Sequence, residues 1–422
     1  MPGTHFFNMP YVYRLSGELN VEALEKALKE IVRRHEALRT TFDLLDGKPV
    51  QFVTDGAMFS LQKIFLGKES MEALYEAAAT EIFEERRMPF DLVSGPVFRV
   101  KLLTLTDVHS LLLVTMHHIT SDYWSMQIFR RELVEFYGVF VKGQESQLPS
   151  PKIQIGDYAT WERSLVANGL FEHEIGNRQL ANGKPATENE EQGIEGDQEE
   201  FLQDYVQQVI TIDGDLFEQI SNHAKQNHCT PCIVMICALC VSLYWMLKES
   251  KIRIGTLTAN RGDHVTENVI GHFANTVILS LTLSKQDTYA QVLTKVRAAS
   301  LDAYANEKIP FEYLAQKFRM ARCSIVDSLF SVLFNYQRQD LRADTVAGLC
   351  FSPLVLTSVN QETEMLPSSF GLIFDVRETG TFFEAIIRTN KRFATRRNVR
   401  DVGDHFRAAL QTLIFEPWRR LS

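Results

Sequence analysis

The chain opens on a short strand-like pattern, YVYRLSG (11–17). After Asn20, apolar Val21, Leu24, Leu28, Ile31 and Val32 recur at helical spacing, and Asn20 is placed to cap that helix. VFRVKLLTL (97–105) and HSLLLVTMHHI (109–119) read as two strands, the second apolar enough to be fully buried. The short polar TDV between them predicts a hairpin turn. Beyond Asp122, helical spacing returns with Trp124, Ile128, Leu133 and Phe136 along one face. In the second half, strands are predicted at 205–213, 251–260, 275–283, 327–337, 371–378 and 382–390. Helices are predicted over 231–247, from Asp287 to about Asn306, and over about 397–415. Strands and helices mix in both halves, so the expected fold is α+β with two cores.

Between the halves the character changes. From Asn168 to Asp204 the chain is acidic and Gly-rich, with no Lys or Arg between Lys184 and Lys225. Such a run is expected to be a solvated linker. The division is therefore 1–167 for an N-terminal lobe, 168–204 for the linker and 205–422 for a C-terminal lobe, in keeping with 422 residues.

The longest apolar run, Cys232 to Leu247, is shorter than the ~20 residues of a bilayer span. Thr230 and Pro231 supply an N-cap and a proline at the first helical position, so the run is expected to be a buried core helix. The same segment spaces Cys229, Cys232, Cys237 and Cys240 as C-x2-C-x4-C-x2-C. Four sulfurs on one metal need turns that converge, whereas apolar helix formers fill these gaps; the cysteines are expected to pack as small hydrophobes, with no metal. Six Cys are too few for a disulfide scaffold, and no basic-then-apolar leader opens the chain, so the expected compartment is the cytoplasm. A net charge of −9 without a basic stripe argues against nucleic-acid binding. Neither the ends nor the apolar runs suggest a membrane.

The sharpest chemical feature is His117-His118-Ile119-Thr120-Ser121-Asp122-Tyr123-Trp124-Ser125. Side chains alternate along a strand, so only one of the two His can face a given cleft. An imidazole there can accept a proton from an attacking amine or alcohol at neutral pH. Asp122, four residues on, is placed to turn back and stiffen the loop. The plainer alternative is two structural His at a strand end.

The string HHxxxDxxS after an apolar strand resembles the active-site motif of nonribosomal peptide synthetase condensation domains. Further segments match in family order: Arg34-His35-Glu36-Ala37-Leu38-Arg39-Thr40-Thr41-Phe42, Pro89-Phe90-Asp91-Leu92 with Gly95-Pro96 and Arg99, and Asp157-Tyr158-Ala159-Thr160-Trp161. Ala259-Asn260-Arg261, Ile270 to Thr276, Ile309-Pro310-Phe311-Glu312, and Ser328-Leu329-Phe330 through Phe334-Asn335-Tyr336-Gln337 follow. The resemblance implies two chloramphenicol-acetyltransferase-like lobes in a V-shaped pseudo-dimer with a tunnel between them. It implies phosphopantetheine arms delivered by upstream donor and downstream acceptor carrier proteins, neighbouring megasynthase domains as partners, and no intrinsic cofactor.

By position, the resemblance makes His118 the tunnel-facing catalytic His, with His117 supporting the loop. Asp122 matches a structural Asp paired with Arg, and Arg261 is the candidate partner. Ser125 stands either as an oxyanion stabiliser or as a plain helix-start residue. Tyr123, Trp124 and Asn335 are tunnel-lining candidates. The chain departs from the family pattern at Tyr123, where the family carries Gly, which would narrow the tunnel. It also starts without the family's first segment, as a truncated or excised piece would, and the linker matches loosely. His117 argues against a heterocyclisation domain, and Tyr123-Trp124-Ser125 favours condensation over epimerisation. The competing functions are a coenzyme A-dependent acyltransferase of the same superfamily and a non-catalytic docking or gatekeeping domain.

Overall fold

In the computed structural model, residues 4–55, 59–67, 70–172, 205–317, 332–354, 371–390 and 399–422 are described. They form two compact units, each with a six-stranded mixed sheet. The elements of the first half are β1 (Asn8–Ser16), α1 (Val21–Arg34), β2 (Thr40–Leu45), β3 (Lys48–Val53), β4 (Leu61–Phe65), α2 (Met71–Arg87), β5 (Phe98–Thr106), β6 (His109–His117), α3 (Tyr123–Val141) and α4 (Ile155–Ala167). The second half supplies β7 (Tyr205–Ile212), α5 (Gly214–Gln226), α6 (Pro231–Leu247), β8 (Lys251–Thr258), β9 (Asn275–Thr282), α7 (Tyr289–Tyr304) and α8 (Phe311–Lys317). It continues with β10 (Val332–Arg338), β11 (Asp344–Val346), β12 (Leu349–Leu354), β13 (Leu372–Glu378), β14 (Phe383–Asn390) and α9 (Val399–Phe415).

The first unit's sheet runs β11-β12-β1-β6-β5-β4. Its central strand β6 is antiparallel to both β1 and β5, with Asn8 opposite His117. Leu112, Val114 and Met116 on β6 pack with Leu24, Leu28 and Ile31 of α1 and with Phe129 and Leu133 of α3. The other face of β6, Leu111 and Leu113, packs near Leu74 and Ala78 of α2. Cover on both faces explains why β6 is an unbroken apolar run. The expected caps form: Asn20 Oδ1 accepts from Ala23 N–H at 3.0 Å, and Thr230 Oγ1 from Ile233 N–H at 3.4 Å.

The second unit's sheet runs β7-β14-β13-β10-β8-β9, and α6 lies at its core with Val234 through Val241 almost wholly buried. Burial pushes the Cys232 thiol up to about 12 and raises those of Cys237 and Cys240 further. Among the described residues no cluster of three or more metal-ligating side chains occurs, and no single helix is long and apolar enough to cross a membrane.

The compact units do not follow the expected lobe boundary throughout. The first unit is Met1–Asn168 together with Arg261–Phe273 and Asp340–Leu366; the second is Gly169–Asn260, Ala274–Gln339 and Pro367–Ser422. Two segments expected in the C-terminal lobe therefore belong with the first unit. β12 completes the first sheet by pairing with β1, Leu15 opposite Phe351, and Arg130 on α3 clamps the incoming chain through Asp344 Oδ2 at 2.8 Å and the Asp340 carbonyl at 2.7 Å. Residues 173–204 of the expected linker, the Ser328-Leu329-Phe330 segment and the starts of the strand at 327 and the helix at 397 lie outside the described residues.

Candidate active site

β6 ends at His117, and the two histidines part there. His117 is buried, its ring centroid 5.8 Å from that of Phe7 and 5.9 Å, edge-on, from that of Phe90. Its Nδ1 accepts from Ile119 N–H at 3.1 Å, so the ring supports the turn from inside. Burial, followed by the charges of His118 and other nearby cations, pushes its pKa down to about 4. Phe90 is itself held under the Arg99 guanidinium at 3.7 Å, and Arg99 Nε donates to Glu85 Oε1 at 2.6 Å. His117 is thus packed inside the turn, with Nδ1 committed to the loop backbone.

His118 is half-buried, its backbone N–H tied to the Phe7 carbonyl at 2.8 Å. Its Nδ1 lies 2.8 Å from the Ser121 carbonyl oxygen. A carbonyl only accepts, so the proton of the neutral ring sits on Nδ1 and Nε2 is left as a proton acceptor. The Ser121 hydroxyl bonds the His117 carbonyl at 3.2 Å, which fixes the turn carrying that carbonyl.

Asp122 caps α3: its Oδ1 accepts from Ser125 N–H at 2.8 Å and from Ser125 Oγ at 2.7 Å. Its expected partner is in place, with Arg261 Nη2 3.1 Å from both carboxylate oxygens. Phe273 N–H donates to Oδ2 at 3.1 Å. Arg261 also donates to the carbonyls of Thr266 (2.6 Å), Val269 (2.7 Å) and Gly271 (3.1 Å) and lies 4.2 Å over the Phe273 ring. The segment Arg261–Phe273 therefore folds around its own first side chain. Burial lowers the Arg261 pKa while the Asp122 charge raises it.

Ser125 takes the second of its two expected places, at the start of α3. It is fully buried; its hydroxyl lies 2.7 Å from Asp122 Oδ1 and 2.8 Å from the Gly271 carbonyl, and accepts from Gly271 N–H and Arg261 Nη2, each at 3.1 Å. A hydroxyl so surrounded has no donor left for an oxyanion. It pins α3 to Gly271 instead. Trp124 is exposed at 42%, and its indole N–H donates to the Glu267 carbonyl at 3.0 Å; Tyr123 is half-buried beside it. Asn335 is half-buried on β10 in the second unit.

Sequence reasoning missed a second anchor. Arg34 Nε and His35 Nε2 reach Glu132 Oε2 at 3.1 and 2.9 Å, and His35 Nδ1 accepts from Ile270 N–H at 3.3 Å. Burial works to raise the Glu132 pKa, but His35 and Arg34 together hold it below the usual carboxylate value. The RHE string was visible as a motif, yet its partner Glu132 sits inside α3 with no local mark. His272 was also passed over; its ring stands edge-on to His118, centroids 4.8 Å apart at 82°.

The HHxxxD string thus forms a strand-end imidazole with Nε2 left to accept a proton, beside an aspartate committed to an arginine. The family model of the condensation domain matches residues 1–422, and the chain belongs to that family. One of the subunits of linear gramicidin synthase from Brevibacillus parabrevis is 30% identical over 98% of this chain, and surfactin synthase subunit 1 of Bacillus subtilis (strain 168) is 29% identical over 99%. The chain spans 8% and 11% of those relatives. The condensation domain of the monacolin K polyketide synthase MokA shares the fold at a TM-score of 0.80 and 16% identity, covering 99% of this chain and 94% of that one. The first condensation domain of the calcium-dependent antibiotic synthetase does so at 0.76 and 15%, covering 99% and 93%. Identities this low support the fold alone.

Proposed function

We propose that this chain joins an acyl or peptidyl thioester to the amine of an aminoacyl acceptor, each presented on the phosphopantetheine arm of a carrier protein. The acceptor nitrogen attacks the thioester carbonyl carbon, a C–N bond forms, and the C–S bond breaks to release the donor thiol. The amine proton passes to His118 Nε2 and returns to the departing sulfur. The observation that carries this reading is the His118 Nδ1–Ser121 carbonyl bond, which leaves Nε2 as the acceptor. Asp122 and Arg261 organise the loop without exchanging protons. The partners are the two carrier proteins and adjoining synthetase domains. The unpaired cysteines, Cys237 and Cys240 in the core among them, suit a reducing cytoplasm.

The test is single-turnover transfer between a carrier-bound acyl donor and a carrier-bound aminoacyl acceptor, read by intact-protein mass spectrometry. Wild type is expected to form the condensed product, and His118→Ala to slow its formation by about 10²–10⁴-fold. Equal rates for the two proteins would remove His118 from the chemistry. Faster turnover with free acyl-coenzyme A would replace the carrier-bound donor. No transfer by a folded wild type across several donors would favour a docking role.

A further inference from the structure

Among the described residues the His118 ring makes one hydrogen bond, Nδ1 to the Ser121 carbonyl. His118 is half-buried, and a single hydrogen bond is worth little against the ring's other rotamers, so this bond alone does not keep Nδ1 on that carbonyl. Where Nε2 points then depends on what packs against the ring, and the neighbouring aromatic is His272, edge-on with its centroid 4.8 Å away. We propose, on the assignment of His118 as proton acceptor above, that His272 is a positioning residue whose ring sets the plane in which His118 Nε2 meets the acceptor nitrogen.

His272 is built to hold its place. On one side, Gly271 N–H donates to Ser125 Oγ, and the Gly271 carbonyl lies 2.8 Å from Ser125 Oγ and accepts from Arg261 Nη2. On the other, Phe273 N–H donates to Asp122 Oδ2. The backbone on each side of His272 is thus tied to the start of α3, just beyond the turn that carries Ser121. The cluster of Asp122, Ser125 and Arg261 links both imidazoles to one frame. The charged or titratable groups acting on His272 are His118, Asp122 and Arg261. Although its side chain is solvent-exposed, the surrounding protein and then the His118 charge lower its pKa, outweighing Asp122 and the Ser121 carbonyl. A neutral ring can brace His118 without repelling the proton that His118 must accept.

The experiment compares wild type, His272→Ala and His272→Phe in the transfer assay, with ¹⁵N-histidine NMR of the free proteins and circular dichroism to verify folding. His272→Ala is expected to lower the saturated rate by about 10–100-fold, with the KM for either carrier changed less than about twofold. His272→Phe, which restores a ring edge, is expected to recover most of that loss. In the spectra, the His118 Nδ1–H tautomer is single in wild type and Phe and mixed in Ala. A wild-type rate in Ala, a loss confined to KM, equal losses in Ala and Phe, or an unchanged His118 spectrum in Ala would each overturn the proposal. If wild type transfers nothing, the condensation reading falls, and the spectra still decide whether His272 orders His118.

Discussion

Replacing Arg261 by Met keeps a long apolar stem and removes the guanidinium from a site where its side chain is 1% exposed. Three carbonyls, of Thr266, Val269 and Gly271, lose donors, and so does Ser125 Oγ. Among the described residues the Asp122 carboxylate keeps only the Ser125 N–H and hydroxyl and the Phe273 N–H, and becomes an uncompensated buried charge. Breaking a buried ion pair from one side costs about 3–5 kcal/mol. The double variant Asp122→Asn/Arg261→Met leaves no stranded charge, so its cost should fall short of the sum of the single changes by about 1–3 kcal/mol. With two compact units, a single denaturation midpoint is ambiguous. Native-state hydrogen exchange reads the effect locally: the Gly271 and Phe273 amides, bonded to Ser125 Oγ and Asp122 Oδ2, should lose protection in Arg261→Met. A cost below about 1 kcal/mol, or unchanged protection at those two amides, would refute the view that Arg261 holds this segment.

Gly271→Ala should destabilise the first unit by about 1–3 kcal/mol, because a Cβ there would meet Ile155 Cδ1 at 2.8 Å and Phe273 Cε2 at 2.9 Å; thermal melts with exchange at Gly271's neighbours check it. His117, pushed down to about 4 in the fold, binds a proton more readily when unfolded, so its contribution to stability is complete above about pH 6.5 and is lost as pH falls towards 4. After discounting for solvent screening this amounts to about 1–3 kcal/mol, and His117→Phe should flatten the corresponding limb in urea titrations at stepped pH. Tyr123→Gly should leave folding intact and transfer equal or faster; a large loss in the carrier-based assay would make the tyrosine part of the working site.

Local patterns with their own caps were readable from the sequence: α1 after Asn20, α6 after Thr230-Pro231, and β6 as an unbroken apolar run. The site motif was readable for the same reason, since His117 to Ser125 act within one turn. What escaped depends on partners far along the chain. β12 carries an alternation, Leu349, Phe351 buried with Cys350 and Ser352 between, and follows a turn through Ala347 and Gly348 at positive φ, yet nothing local says it pairs with β1 some 340 residues earlier. The sequence left Ser125 open between an oxyanion stabiliser and a helix-start residue, because what settles its bonding is Gly271, 146 positions away. Glu132 shows the same blindness: a buried acid inside an apolar helix face announces a cation, but not that Arg34 and His35 supply it.

These distant ties explain why the acid of the motif cannot act as a proton carrier. Asp122 receives two backbone N–H groups, a hydroxyl and a guanidinium, so each of its oxygens is committed to donors. Protonating it would put a hydrogen where donors already point and would strand Arg261 among carbonyls. The carboxylate instead joins two stretches of chain that the sequence keeps far apart, the turn bearing His118 and the segment bearing His272. α3 does this twice, at its start through Asp122 and Ser125 and farther along through Glu132, which orients His35 towards the Ile270 N–H. Since both anchors bind consecutive residues of Arg261–Phe273, the helix fixes that segment in position as well as direction. On the proposed assignment of His118 as proton acceptor, its imidazole is then held by groups that need not titrate while it accepts.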